Sequence, residues 1–141
     1  MSGINAGIPE HYGAIQYSRI EDAIQAVQRF GRNGIIIKHD FESALRHIPV
    51  SPIDTPLLGF QLEDPFYAER FLPCGLRTAP YLFNLFAEAF HYILEQQLKT
   101  ANMSALIIQY LDDFLLRLDP KAIANLKTSS EIFTILCAQV G

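Results

Sequence analysis

The sequence predicts an α+β fold, an antiparallel sheet with helices packed on one face, and three observations carry that prediction. Segments with the apolar period of a helix are interleaved with short runs rich in Ile, Leu and Phe. Most of those runs are joined by only a few residues, as hairpins are, and not by the long crossovers a parallel sheet needs. Two long helical segments follow strands of the same sheet, as in a ferredoxin-like layout. The 141 residues suit one domain, and with 50% hydrophobic and 18% charged residues the chain can bury a core, which excludes a disordered tail.

Residues 2–17 read as an extended lead-in punctuated by Gly and Pro, and residues 18–141 as the folded region. Ser18 stands three residues before Glu21, the pattern of a capping box; Ile20, Ala23, Ile24, Val27 and Phe30 then recur at helical spacing until Gly31 stops the helix. Ile35, Ile36 and Ile37 behind Gly34 predict a buried strand that runs into Lys38-His39-Asp40. Phe41, Ala44, Leu45 and Ile48 predict a short helix or turn before Pro49 and Pro52. Leu57 to Leu62 and Phe66 to Leu72 predict a hairpin around Glu63-Asp64-Pro65.

Pro73-Cys74-Gly75 reads as a loop, after which Thr78 and Pro80 open a long helix with Leu82, Phe83, Phe86, Ala89, Phe90, Ile93 and Leu94 on its buried side. Ala105 to Tyr110 and Phe114 to Leu118 are apolar strands joined through Leu111-Asp112-Asp113. Asp119-Pro120 reads as a cap and first turn, and Ile123, Leu126, Phe133, Leu136 and Val140 complete a last amphipathic helix.

Composition excludes several classes. No apolar run approaches the roughly 18–20 residues a membrane helix needs. The first residues show neither a basic region nor an apolar stretch, so no secretory signal is visible and an intracellular protein without membrane contact is expected. Cys74 and Cys137 are far apart, and His11, His39, His47 and His91 show no ligand spacing; reduced thiols and no structural zinc are expected. The net charge of −4 is unusual for a domain that handles nucleic acid, because such domains carry a basic face.

Two places put carboxylates where a solvated surface does not explain them. Asp40 ends the Ile35–Ile37 strand, and Asp112 and Asp113 sit in the bend of a hairpin. If those strands are neighbours in one sheet, Asp40 and Asp112 converge at its edge. Carboxylates that close repel unless cations lie between them. Hard, oxygen-seeking Mg²⁺ relieves the repulsion, and two such ions about 4 Å apart stabilise the attacking and leaving oxygens of an in-line phosphoryl displacement. Each feature alone has a plainer reading, since Asp-Asp suits a turn and a lone Asp after a strand suits a helix cap.

Three segments in order carry more. Lys38-His39-Asp40-Phe41-Glu42-Ser43-Ala44-Leu45-Arg46-His47-Ile48-Pro49-Val50 resembles the first palm motif of reverse transcriptases. The run from Leu72 through Pro73-Cys74-Gly75-Leu76 and Thr78-Ala79-Pro80 to Asn84 resembles the second, and Tyr110-Leu111-Asp112-Asp113 resembles the third, the Tyr-x-Asp-Asp signature. Leu58-Gly59-Phe60 falls in the hairpin expected between the first two. The resemblance runs from about Ser18 to the end. The wording around Arg46–Pro49 and Asn84–Ala89 is similar to retrotransposons of the tyrosine-recombinase, DIRS-like type. A nucleotide cyclase, another two-metal palm enzyme, is disfavoured by the Pro73–Leu76 loop and the helix after it.

The resemblance implies a polymerase palm with a ferredoxin-like antiparallel sheet, and an RNA-directed DNA polymerase that joins a deoxynucleotide to a primer 3′-hydroxyl on an RNA or DNA template. It implies that Asp40 and Asp112 ligate two Mg²⁺ ions, for which Mn²⁺ can substitute, with the backbone carbonyl of Phe41 completing one shell. Asp113 would be the less critical acid. Leu45 would lie under the sugar of the incoming nucleotide, Cys74 and Gly75 would line its pocket, and Tyr110 would touch the primer end.

Leu45 stands where the family usually has Tyr or Phe, the ring that excludes ribonucleotides, and Cys74 where it usually has Phe or Gln. The basic fingers are expected to precede Ser18, and the lysine-bearing segment, thumb and RNase H to follow Gly141. The region is thus an incomplete palm fragment, its missing basic surfaces would account for the negative charge, and it needs the remaining reverse transcriptase subdomains as partners. By itself the fragment is expected to be inactive. The alternative is a truncated relic that keeps the palm fold, with at most a protein-interaction role.

Overall fold

The computed structural model describes residues 3–31, 34–119 and 125–140. Its elements are α1 (Ile20–Phe30), β1 (Ile35–Asp40), β2 (Gly59–Gln61), β3 (Phe66–Ala68), α2 (Ala79–Thr100), β4 (Ala105–Tyr110), β5 (Asp113–Leu118) and α3 (Leu126–Val140), with short 3-10 turns at Ile4–Gly7, Glu10–Gly13, Ala44–His47 and Thr55–Leu58. The chain divides into two compact units, one of Met1–Ile15 and Glu42–Leu85, the other of Gln16–Phe41 and Phe86–Gly141. The fold is α+β, and the strand pairs of both sheets are antiparallel.

In the second unit the sheet order is β1-β5-β4. The central strand β5 is the most buried, with Phe114, Leu116 and Leu118 wholly inside. Register sets His39, Ile37 and Ile35 beside those three on one side, and Gln109, Ile107 and Ala105 on the other. Alternation along each strand makes these nine residues one face. Helices α2 and α3 cover that face: Phe41, Phe90, Phe114 and Phe133 meet with ring centroids 4.8–5.8 Å apart, mostly edge to face. Edge-to-face rings add about 0.5–1.5 kcal/mol per pair beyond the area they bury.

The buried stripe of α2 is Ala79, Phe83, Ala87, Phe90, Leu94 and Leu98. The sequence places Leu82, Ala89 and Ile93 inside as well, but all three are exposed. Phe83 and Phe90, two turns apart, set the phase of the helix, and a neighbour one position away is rotated off that stripe. Helix α1 likewise departs from expectation. It begins at Ile20, and the Arg19 N–H donates to Asp22 Oδ2 at 2.7 Å, so Asp22 does the capping expected of Glu21. Ile20, Ile24 and Val27 are exposed while Ala26 is buried.

Arg117 lies on the face of β5 opposite Phe114 and is buried. Its guanidinium donates to the Gly31 carbonyl at 2.7 Å and to the Leu118 carbonyl at 3.1 Å, which ties the end of α1 to the sheet. Gly34 makes room for it, since a Cβ there would stand 1.3 Å from Arg117 Nη1. The guanidinium has no solvent to retreat into. Gly34→Ala is therefore expected to destabilise the chain by about 1–3 kcal/mol, the cost of overpacking, read from urea unfolding. An unchanged midpoint would contradict this packing.

His39 faces the core, with its ring stacked on Phe133 at 4.2 Å and 12°. Burial lowers its pKa from the ordinary histidine value. Acidification therefore protonates the unfolded chain first, so the stability His39 contributes is complete above about pH 6.5 and is lost as pH falls from there towards the lower folded-state pKa. The stability difference between pH 7.5 and pH 5.5 should accordingly be smaller in His39→Phe than in the parent protein. An equal difference in denaturant titrations of both would refute the assignment.

In the first unit β2 and β3 are three residues each, shorter than the expected 57–62 and 66–72. Pro56 sits in the 3-10 turn Thr55–Leu58, which takes Leu57 and Leu58 out of the strand. Beyond β3 the chain pairs elsewhere, with a bridge between Pro49 and Phe71 and hydrogen bonds from Val50 N to Arg70 O (2.8 Å) and Leu72 N to Ile48 O (3.0 Å). The lead-in is not extended: its two 3-10 turns flank Pro9. Pro120 and Ile123, assigned above to a helix cap and the last helix, lie outside the described residues. Val140 in α3 is exposed. Among the described residues no helix is long and apolar enough to cross a membrane.

Candidate active site at one end of the three-stranded sheet

Register decides where the acids go. Asp40 and Asp113 are direct cross-strand partners of β1 and β5, and Tyr110 is the partner of Asp113 across the β4–β5 hairpin. The backbone N–H of Phe41 donates to the Asp112 carbonyl at 3.2 Å, which extends the pairing one step past the strand end. Asp40, Asp112, Asp113 and Tyr110 thus gather at one end of the sheet. Asp40 and Asp113, side by side in register, project from the face opposite the phenylalanine cluster. Each has a buried phenylalanine as its next residue, Phe41 after Asp40 and Phe114 after Asp113. The core therefore fixes the backbone that carries the acids.

The hairpin itself is tight. Leu111 and Asp112 form its two-residue loop, and Leu111 has φ +52°. Two-residue hairpins need positive φ at the first loop position, which normally favours Gly or Asn. A leucine there is a strained choice of the kind that collects at functional sites.

Lys38 enters the site from β1, two residues before Asp40 and on the same face. Its Nζ lies 2.8 Å from Asp113 Oδ1. The hydrogen bond and charge of Asp113 raise the Lys38 pKa, and the charges of Asp40 and Asp112 add to the effect. Positive charge is therefore favoured among these three carboxylates. Among the described residues no three His, Cys, Asp or Glu side chains form a ready metal cluster. The acids gathered at this end of the sheet offer oxygen donors, the kind that suits a hard divalent ion. Asp113 is already engaged by Lys38.

Tyr110 is half exposed, and its ring centroid is 5.0 Å from that of Tyr17. Burial, and then the neighbouring Tyr110, raise the Tyr17 pKa. Sequence patterning did not single out Tyr17 or Lys38. The lysine was legible only as part of a motif, and the tyrosine lay in a segment read as lead-in.

Leu45, Cys74 and Gly75 belong to the first unit, whereas the acids and Tyr110 belong to the second. Leu45 is half-buried on the 3-10 turn Ala44–His47, entered through Ser43 at φ +55°. Cys74 and Gly75 line a cleft of about 320 Å³ with Leu58, Phe60, Glu69 and Pro73. Leu45 does not line that cleft. Gly75 has φ +90°, a conformation that only glycine adopts freely. Arg46 and Glu69 form a two-pronged ion pair beside the cleft, with Nη2 to Oε1 at 3.1 Å and Nη1 on Oε2. It holds Glu69 below the usual carboxylate range and raises the Arg46 pKa, to which the nearby Cys74 also contributes. The Cys74 thiol is exposed; that of Cys137 is half-buried and its pKa is pushed up by burial.

An antiparallel sheet with helices over one face and acids at the end of a hairpin is an α+β arrangement of the kind found in a polymerase palm. The sequence profile of the reverse transcriptase (RNA-dependent DNA polymerase) family matches residues 4–138. The chain belongs to that family. The match begins within the first 3-10 turn, so the lead-in is part of what is recognised. Comparison with curated proteins finds no match.

Proposed function

We propose that this chain carries the catalytic centre of an RNA-directed DNA polymerase, in which a primer 3′-hydroxyl attacks the α-phosphate of a deoxynucleoside triphosphate and pyrophosphate leaves. The observation that carries the reading is the register of Asp40 with Asp113, extended by the Phe41 N–H to Asp112 bond. Asp40 and Asp112, with the Phe41 carbonyl, would hold Mg²⁺, or Mn²⁺ in its place. Bound there, such ions neutralise the attacking and leaving oxygens. Lys38, paired with Asp113, offsets that carboxylate's charge, and Asp113 would be the less critical acid.

Leu45, Cys74 and Gly75 would receive the nucleotide, with Gly75 letting the backbone approach closely and Leu45 bearing on the sugar. The exposed Tyr110 would meet the primer end. The template would be RNA or DNA. Fingers, thumb and RNase H would complete residues 18–141 as a palm, with residues 1–17 leading in. A retrotransposon of DIRS-like type, acting inside the cell, is the source the motif wording favours.

The test is primer extension by the complete polymerase, this chain together with the remaining reverse transcriptase subdomains, on an RNA template with Mg²⁺ and labelled deoxynucleotides, comparing the parent sequence with Asp112→Asn. Extension that depends on Asp112 supports the reading; extension indifferent to it removes the catalytic role of the hairpin. The second reading is a non-catalytic relic that binds a protein partner. It is favoured by the exposed apolar side chains of Ile53, Leu62 and Phe66 in the first unit.

A further inference from the structure

The lead-in is bound to the loop that precedes α2. Asn5 Nδ2 donates to the Gly75 carbonyl at 2.7 Å, and Asn5 Oδ1 accepts from the Arg77 N–H at 2.8 Å. Both ends of one side-chain amide are used on one short loop, and the two partners fix which end is oxygen and which nitrogen. Two more contacts join the same segments. Arg77 Nη1 donates to the Ile8 carbonyl at 2.6 Å, and Gly13 lies so close that a Cβ would stand 3.2 Å from the Arg77 carbonyl oxygen. Arg77 is thus directed to the lead-in backbone.

The loop does little to hold itself. Its own backbone bonds are Leu76 N to Pro73 O at 3.4 Å and Ala79 N to Leu76 O at 3.0 Å, which leave the Gly75 carbonyl and the Arg77 N–H to Asn5. Gly75, at φ +90°, is the residue with the widest conformational choice. A glycine in such a turn keeps one conformation only where its neighbours impose it. Asn5 is in turn held by its own 3-10 turn, with Ala6 N bonded to Gly3 O at 2.9 Å.

We propose that Asn5 is a positioning residue that clamps the Gly75–Arg77 loop through both ends of its side-chain amide and, through that loop, sets the affinity for the incoming nucleotide. The second half rests on the nucleotide-pocket reading of Cys74 and Gly75; the first half does not. Asn5 touches no reacting group. Its effect should therefore fall on nucleotide KM and not on kcat.

The experiment compares Asn5→Ala, which loses both bonds, with Asn5→Asp, which keeps the acceptor for Arg77 and loses the donor to Gly75. Amide hydrogen exchange of Arg77 is followed by NMR on the full chain, with β4 and β5 amides reporting that the fold is kept. Exchange at Arg77 is expected to rise at least about fivefold in Asn5→Ala, in line with one lost hydrogen bond, and to stay near the parent rate in Asn5→Asp. Alkylation of Cys74 by iodoacetamide is expected to change in Asn5→Ala while that of Cys137 does not. In primer extension by the complete polymerase, Asn5→Ala is expected to raise dNTP KM about fivefold to tenfold with kcat within about twofold. Unchanged Arg77 exchange in Asn5→Ala overturns the clamp. Faster exchange with an unchanged KM upholds the clamp and overturns its link to nucleotide affinity.

Discussion

Asp112→Asn is expected to leave the fold intact and, in the complete polymerase with the remaining subdomains present, to lower template-directed nucleotide incorporation at least about 100-fold, since even the outer partners of metal ligands cost 10–100-fold when removed. The fold should survive for three reasons. Asparagine is nearly isosteric with aspartate, it suits a turn equally well, and the bond that Asp112 makes to Phe41 uses its backbone carbonyl. What would be lost, on the proposed reading, is one of the two negative charges offered to a hard cation. Asp113→Asn is the internal comparison. It removes the partner of Lys38, an exposed pair that contributes little to stability, and its effect on incorporation should be the smaller. A metal-binding measurement separates causes: Mg²⁺ should raise the melting temperature of the parent and of Asp113→Asn more than that of Asp112→Asn. Equal incorporation by Asp112→Asn and the parent would show that the hairpin acids do not carry the chemistry.

The candidate acids were legible in the sequence because they stand in short, ordered motifs. Asp40 at the end of a β-branched run and Asp112-Asp113 between two apolar runs could be placed without coordinates, given a sheet in which those runs are neighbours. What the sequence could not supply was the register. Only the pairing of Ile35 with Leu118 through Asp40 with Asp113 sets the acids level with each other. It also sets Lys38 within reach of Asp113. Nothing in a period-two pattern distinguishes that register from one shifted by two residues.

Helix faces were less legible. Stripes drawn from period alone admitted Leu82, Ala89 and Ile93 beside the true stripe of α2, because an apolar helix offers more than one face and tertiary packing chooses. The same holds for α1, whose Ile20, Ile24 and Val27 form a regular stripe that its own unit leaves exposed. The lead-in was the least legible part. Asn5, Ile8 and Gly13 are ordinary turn residues locally, and their partners lie about seventy positions away.

Phe114→Ala is expected to cost about 3–5 kcal/mol, the range for truncating a buried phenylalanine, and so to remove a large part of the 5–15 kcal/mol typical of a domain's stability. Phe114 is fully buried on the central strand, and its ring meets those of Phe41, Phe90 and Phe133. Truncation would leave a void walled by three other rings, two of them on α2 and α3, which the sheet cannot collapse to fill. Phe114→Leu refills most of that volume and should cost less than half as much. The consequence for the site follows from chain continuity. Asp113 precedes Phe114 and Asp40 precedes Phe41, so loosening the cluster loosens both acids together. Phe114→Leu, which should fold, is therefore expected to lower incorporation although Phe114 lies on the face of the sheet away from the acids. Urea unfolding of both variants tests the packing, and incorporation by Phe114→Leu tests the coupling. A Phe114→Leu protein with parent activity would mean that the acids are held by their turn alone.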